Sequence, residues 1–242
     1  MTGAASRGVA AERRAETIER RGERARLASW RADGEVAHLS PAAMRPLSAD
    51  FVGSCLDTLR ARGFSFVVTS ALSEAESTGF LRAGFDVQEE LELLVHDLNA
   101  IPELRHRLRR PRRRDRPRVL VVDSAAFESF WRLHQGGLED ALGATPAVRF
   151  RVHGRGDRLD SYVIGGRGAG TGYVQRLAVH PDARGRGLGR SLVGDVLRWM
   201  RRHGAGRALV NTQRTNGSAL ALYRACGFRV LPEGLQVLAR SL

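Results

Sequence analysis

Two spacings of apolar residues alternate along the second half of the chain, and together they predict an α/β fold. In "SLVGDVLRWM", Leu192, Val193, Val196, Leu197 and Met200 recur at steps of three and four, which puts them on one face of a helix. Gly204 follows where such a helix would end, because glycine adopts left-handed backbone at little steric cost. "AVRFRVHG" (147–154) and "RLDSYVIGG" (158–166) alternate with a period of two, as the arms of a hairpin do. "TGYVQRLAVH" (171–180) reads as a buried strand and "GRALVNT" (206–212) as another. "NGSALALYRACGF" reads as a helix starting at Asn216, followed by two short strands around Pro232 and Gly234. Upstream, "RVLVVD" (118–123) reads as a strand. Ser124 is placed to cap a helix carrying Phe127, Phe130, Trp131 and Leu133, and "GGLEDALG" is a second helical piece.

The first half repeats this pattern. "FVGSCLDTLRARGFSFVVTSAL" (51–72) lies over "LVGDVLRWMRRHGAGRALVNTQ" (192–213), matching Val52, Gly53, Leu56, Arg60 and Gly63 with Val193, Gly194, Leu197, Arg201 and Gly204. "FLRAGFDV" (80–87) lies over "YRACGFRV" (223–230), and "VAHLS" (36–40) echoes "VQRLA" (174–178). Four segments follow: a polar stretch over 1–30, at most a frayed helix; a half over 31–101; a linker over 102–117; and the regular α/β half over 118–242. The linker contains "LRHRLRRPRRRDRPR" (104–118), which lacks apolar periodicity and carries Pro111 and Pro117. It reads first as a solvated connection and only second as a nucleic-acid tether.

Composition narrows the chemistry. A charge of +13 invites a nucleic-acid partner, but every one of the 39 basic residues is arginine, a bias that raises basicity without selecting a ligand. The absence of lysine excludes a phosphate loop of the lysine-bearing kind and any Schiff base. Cys55 and Cys226 suggest neither a disulfide framework nor a metal cluster. No apolar run is long enough to span a bilayer, and the Arg/Glu-rich start has no apolar leader core, so the expectation is a cytoplasmic protein with no membrane partner.

The distinctive stretch is "HPDARGRGLGRSL" (180–192), a bare and positive turn at the mouth of a helix. A helix N-terminus exposes unpaired N–H groups, and glycines let an anion reach them. A dinucleotide fingerprint does not fit, because Arg190 stands at the third glycine position and "RALVNT" supplies no acid. Written as Arg184-x-x-Gly187-x-Gly189, the turn resembles the diphosphate loop of the GNAT (Gcn5-related N-acetyltransferase) superfamily. "RLAV" before "HP" resembles that family's acetyl-CoA strand. Asn216-x-x-Ala219-x-x-x-Tyr223-x-x-x-Gly227-Phe228 resembles its second signature.

The resemblance covers residues 118–242 and implies a GNAT fold, a mixed central sheet flanked by helices, preceded by a truncated GNAT-like half. It implies acetyl-CoA as cosubstrate and an amine, small-molecule or peptide, as acceptor. Backbone groups of Leu177, Ala178 and Val179 would hold the acetyl carbonyl and pantetheine. Arg184, Gly185, Arg186, Gly187, Leu188, Gly189 and Arg190 would cradle the diphosphate, Asn216 would contact the cofactor arm, and Tyr223 would sit by the sulfur as proton donor. Many relatives carry a Glu base on the cofactor strand, where this chain has Gln175, leaving solvent or Glu139, Asp140 or His180 as alternatives. In the first half Ala43, Pro46 and Ser48 stand opposite Arg184, Gly187 and Gly189, and Phe80 stands opposite Tyr223. That half is expected to pack or shape rather than catalyse. The rival reading is a non-catalytic acyl-CoA-binding protein whose arginine run engages nucleic acid or a protein. Oligomeric state is open.

Overall fold

A computed structural model describes residues 15–30, 34–42 and 45–242. Residues 1–14 of the polar stretch and Ala43 lie outside the described residues. The chain divides into two compact units, one of residues 1–92 with Glu233–Leu242, the other of Leu93–Pro232.

The first unit opens with a hairpin of β1 (Glu16–Arg20) and β2 (Glu23–Ser29). The expected frayed helix is therefore a strand pair over these residues. Its turn is Arg21-Gly22, both at positive φ, the geometry that matches the twist of paired strands. Ala25 and Leu27 face inward two residues apart. β3 (Val36–Pro41) pairs antiparallel with β2, and β4 (Phe66–Thr69) lies parallel to β3. Between β3 and β4 runs α1 (Ala49–Ala61), and α2 (Glu74–Arg82) follows, opened by a reciprocal cap between Ser73 and Glu76. β5 (Asp86–His96) begins in this unit, and a strand from residues 235–241, numbered β11, pairs with both β4 and β5. Phe51, Leu56, Leu59, Phe80 and Leu238 fill the core. At the mouth of α1, Ser48 donates its N–H and hydroxyl to the Glu23 carboxylate at 2.5 and 2.9 Å.

The second unit contains α3 (Arg116–Ala126), α4 (Gln135–Gly143), β6 (Ala147–His153), β7 (Ser161–Gly168), β8 (Thr171–Val179), α5 (Leu188–Arg202), β9 (Arg207–Gln213), α6 (Gly217–Ala225) and β10 (Arg229–Val230). β6, β7 and β8 are antiparallel neighbours and β8–β9 is parallel, so the sheet is mixed. Alternate residues of β7 serve opposite faces. Val163 joins the core formed by Leu192, Val196, Leu197 and Met200 of α5, while Tyr162 and Ile164 join Val119, Val122 and Leu138 of α3 and α4. Among the described residues no helix is long and apolar enough to cross a membrane.

Two local expectations are overturned. Residues 118–123 are helical, not a strand, and Ser124 lies inside α3 rather than capping a later helix. Phe130 and Trp131 fall in a single 3-10 turn, Ser129–Trp131. The β-branched run suggested a strand, but Val119 and Val122 are three apart and both buried, and Pro117 occupies the first turn, where a missing N–H costs nothing.

The arginine run 104–118 is fastened rather than free. Arg109 forms a two-bond bridge with Val152 at 3.0 Å, and its guanidinium grips the buried Asp115 at 2.7 and 3.0 Å. The Arg105 N–H donates to Ser191 Oγ at 3.2 Å, and His106 Nε2 meets the Arg186 carbonyl at 2.7 Å. The Arg109 hydrogen bonds hold the Asp115 carboxyl down to about 2. That ionisation stabilises the fold above the ordinary carboxylate range and is lost as pH falls toward about 2. Asp115→Asn should therefore lower unfolding free energy at neutral pH by about 2 kcal/mol. In urea titrations, the gap between wild type and variant should close between about pH 4 and about pH 2.

Candidate active site

The site begins with one extra residue in a strand. Ile164 pairs with Arg176 and Gly165 pairs with Val174, so Gln175 is bulged out of the β7–β8 ladder. A bulge bends and twists its strand. On the other side of β8, the parallel ladder with β9 covers only Thr171–Tyr173 against Arg207–Leu209. Both strands continue past that point, β8 to Val179 and β9 to Gln213, leaving a slot. The His180 N–H donates to the Asp160 carbonyl at 2.7 Å on the β7 side. Strand alternation then turns the backbone of Ala178 toward β7 and that of Leu177 and Val179 toward the slot. Of the three expected strand residues, two thus present backbone groups and the third holds the strand in place. The Leu177 and Val179 side chains pack against the α5 core, and Ala178 lies in the core beneath α3.

The slot's strand runs into the glycine turn. After one 3-10 turn, Pro181–Ala183, Gly185 and Gly187 adopt φ of +76° and +77°, and α5 starts at Leu188. The first bond of the α5 ladder is Ser191 N–H to the Gly187 carbonyl at 3.1 Å. The N–H groups of Leu188, Gly189 and Arg190 precede it and have no acceptor within the helix. A Cβ at Gly185 would meet nothing within 4 Å, so backbone conformation alone requires glycine there. A Cβ at Gly189 would stand 3.0 Å from Leu222, so this glycine serves the close approach of α5 and α6. Arg190 Nη1 donates to the Ala225 carbonyl at 2.9 Å, and Arg186 Nη2 to the Asp182 carbonyl at 3.0 Å. These two side chains brace the turn, and all three of its arginines, Arg184 included, are exposed.

Asn216 is the N-cap of α6, its Oδ1 accepting from Ala219 N at 3.1 Å and Ser218 Oγ at 3.0 Å. Tyr223 is 6% exposed, with its ring against Phe228. Burial, with Cys226 adding to it, pushes its phenol well above the usual tyrosine value, while the Arg176 charge acts in the opposite direction. Tyr223 thus keeps its proton at neutral pH and lies within electrostatic reach of the bulged strand.

Sequence reading passed over the network behind that strand. Arg176 Nε and Nη2 donate to the two oxygens of Asp123 at 2.8 and 2.9 Å, and Nη2 also donates to the Trp131 carbonyl at 2.6 Å. Its guanidinium stacks 3.4 Å from the Phe127 ring centroid. The Tyr162 hydroxyl donates to Asp123 Oδ2 at 2.5 Å. Asp123 and Tyr162 are fully buried, and burial keeps the Tyr162 phenol protonated. The available signal was Asp123 one step beyond Val122 on the face of α3, hidden while the segment was read as a strand. Gln175 offers its amide N–H₂ to Thr145 at 3.4 Å, and its buried Oε1 has no partner. Of the alternative bases, Glu139 pairs with Arg116, Asp140 is exposed on α4, and His180 Nδ1 accepts from the Asp182 N–H at 3.4 Å. Among the described residues no cluster suits a metal ion.

Residues 147–228 match the model of the acetyltransferase (GNAT) family. The matched stretch lies within the second unit. Over 117 residues the chain is 38% identical to mycothiol acetyltransferase of Beutenbergia cavernae, covering 45% of this chain and 39% of that protein. Over 132 residues it is 33% identical to mycothiol acetyltransferase of Rhodococcus opacus, covering 47% and 42%. The chain thus spans less than half the length of these relatives. Its fold is shared with a GCN5-related N-acetyltransferase from Kribbella flavida (TM-score 0.65, 15% identity, 99% of this chain and 96% of that one). It is shared also with a tandem GNAT protein from the clavulanic acid biosynthesis pathway (TM-score 0.66, 13% identity, 93% and 81%).

Asp123→Asn would leave the buried Arg176 without its counter-charge. Unfolding free energy should drop by about 3–5 kcal/mol. In a double-mutant cycle, the Asp123→Asn/Arg176→Met double variant should lose in total much less than the two single losses combined. Additive losses would show that the two side chains do not act together.

Proposed function

We propose that the second unit transfers an acetyl group from acetyl-CoA to an amine acceptor by direct attack. The observation that carries this reading is the continuity of the slot between β8 and β9 with the open amides of the glycine turn. A thioester arm fits such a slot as a strand would, and a diphosphate fits the N-terminus of α5. Leu177 and Val179 supply backbone donors for the thioester carbonyl, whose oxygen gains negative charge as the amine attacks. The N–H groups from Gly185 to Arg190 hold the diphosphate, with Arg184 the one turn arginine left to face it. Asn216 keeps one amide group for the arm while its oxygen caps α6. Tyr223, protonated at neutral pH, gives its proton to the leaving thiolate as the carbon–sulfur bond breaks.

Neither Gln175 nor Arg176 accepts a proton from the amine. The acceptor therefore enters as the free amine or loses its proton to solvent, which ties the rate to the acceptor's own basicity. The curated relatives are named as mycothiol acetyltransferases, which supports a small molecule bearing an amine as acceptor here. The first unit serves as a GNAT-like half without catalysis. In support, the mouth of α1 is closed by Ser48 and by the Glu23 carboxylate, which takes the position an anionic ligand would need.

A screen of amines with acetyl-CoA, read by thiol release, tests the activity. With the best acceptor, Tyr223→Phe should lower kcat by roughly 10²-fold with little change in acetyl-CoA affinity. An unchanged kcat where chemistry limits the rate would remove Tyr223 from the proton-donor role.

Gly187→Asp sets a carboxylate against the diphosphate and imposes strain at a φ of +77°. The acetyl-CoA dissociation constant, measured by calorimetry, should rise by about two decades, an effect of a few kcal/mol for like charges in a partly dry site. An unchanged constant would place the diphosphate elsewhere.

A further inference from the structure

The arginine run that the fold binds down forms one wall of a cavity. It encloses about 560 Å³ between the 110–116 segment, β6 and α5. Six guanidinium groups line it: Arg110, Arg112, Arg113 and Arg116 from the run, and Arg149 and Arg151 from β6. No carboxylate lines it. The nearby counter-charges are Asp195, gripped by Arg149 at 2.7 and 2.9 Å with Arg151 at 3.7 Å, and Glu139, paired with Arg116. Six positive groups against two negative ones leave a surplus of four. Among the described residues, no ion pair satisfies Arg110, Arg112 or Arg113. Burial and the charges of Arg149 and Arg110 pull Arg151 below the usual guanidinium value, against the pull of Asp195.

Concentrated positive charge of this kind is relieved by an anion, and guanidinium forks match phosphate oxygens in pairs. The larger cavity nearby, about 750 Å³, differs because Asp157, Asp160 and Asp182 line it together with its arginines. We propose that the cavity between the arginine run and β6 binds a small molecule bearing a phosphate dianion or a diphosphate. A bounded recess of this volume suits a small anion better than a polynucleotide, which would need a long stripe along which to run. Phe150 and Trp199 in the walls lower the local dielectric and strengthen each charged contact. The cavity is separated from the β8–β9 slot by β7, so it is a second site and does not rest on the acetyl-transfer reading.

The test uses the full chain and inorganic pyrophosphate, followed by calorimetry at low and at physiological salt. Wild type should show saturable binding that weakens with salt. Arg110→Ser with Arg113→Ser, both exposed, should weaken it at least tenfold. Arg202→Ser with Arg224→Ser removes the same charge elsewhere and should leave affinity within about twofold. The same contrast in the Gly187→Asp chain takes the glycine turn out of the measurement. Absence of saturable binding, or equal weakening by both pairs, overturns the proposal. So does a single-stranded oligonucleotide that binds where pyrophosphate does not.

Discussion

One residue too many in β8 sets the geometry of the second unit. Because Gln175 has no partner on β7, the strand turns there, and its ladder with β9 stops at Tyr173. The backbone groups beyond that point would ordinarily be consumed by a sheet. Here they face a slot, and the same strand leads within a few residues to the glycine turn and the mouth of α5. The chemistry of the site is thus mostly backbone chemistry, with side chains holding the backbone in place.

Arg176 shows what that holding requires. A bulged strand is a weak point in a sheet, and this one is tied from behind by a guanidinium that reaches Asp123 on α3 and the carbonyl of Trp131. Buried charges cost desolvation energy, and a purely apolar packing would serve stability as well or better. A directional pair supplies orientation, fixing α3, the 3-10 turn after it and the bend of β8 relative to one another.

The elements that position the slot were legible from local pattern. β6 to β9, α5 and α6 all have periodicities that agree with their tertiary surroundings, and Gly204 and Asn216 mark helix ends by local chemistry. What escaped was set by distant contacts. The segment 118–123 carries β-branched residues that suit a strand, and only burial against β7 and β8 makes it a helix. The run 104–118 has no periodicity because its contacts are single anchors, Arg109 on Asp115 and on Val152, rather than a repeated face. The three glycines of the turn looked alike in sequence. Two answer to positive φ and the third to the approach of Leu222, a distinction that needs the neighbouring helix in view.

The place of β11 bears on how the chain is made. Residues 235–241 lie between β4 and β5, pairing with Val68 on one side and Leu91 on the other. A ribosome delivers residues 16–91 long before it delivers this strand. Until then β4 and the start of β5 present open edges with no strand between them, and Leu238 is missing from the core. The second unit, contiguous in sequence, faces no such wait. The first unit to be synthesised is therefore the last that can close, and during that interval its exposed strand edges are the part of the nascent chain most in need of protection from aggregation.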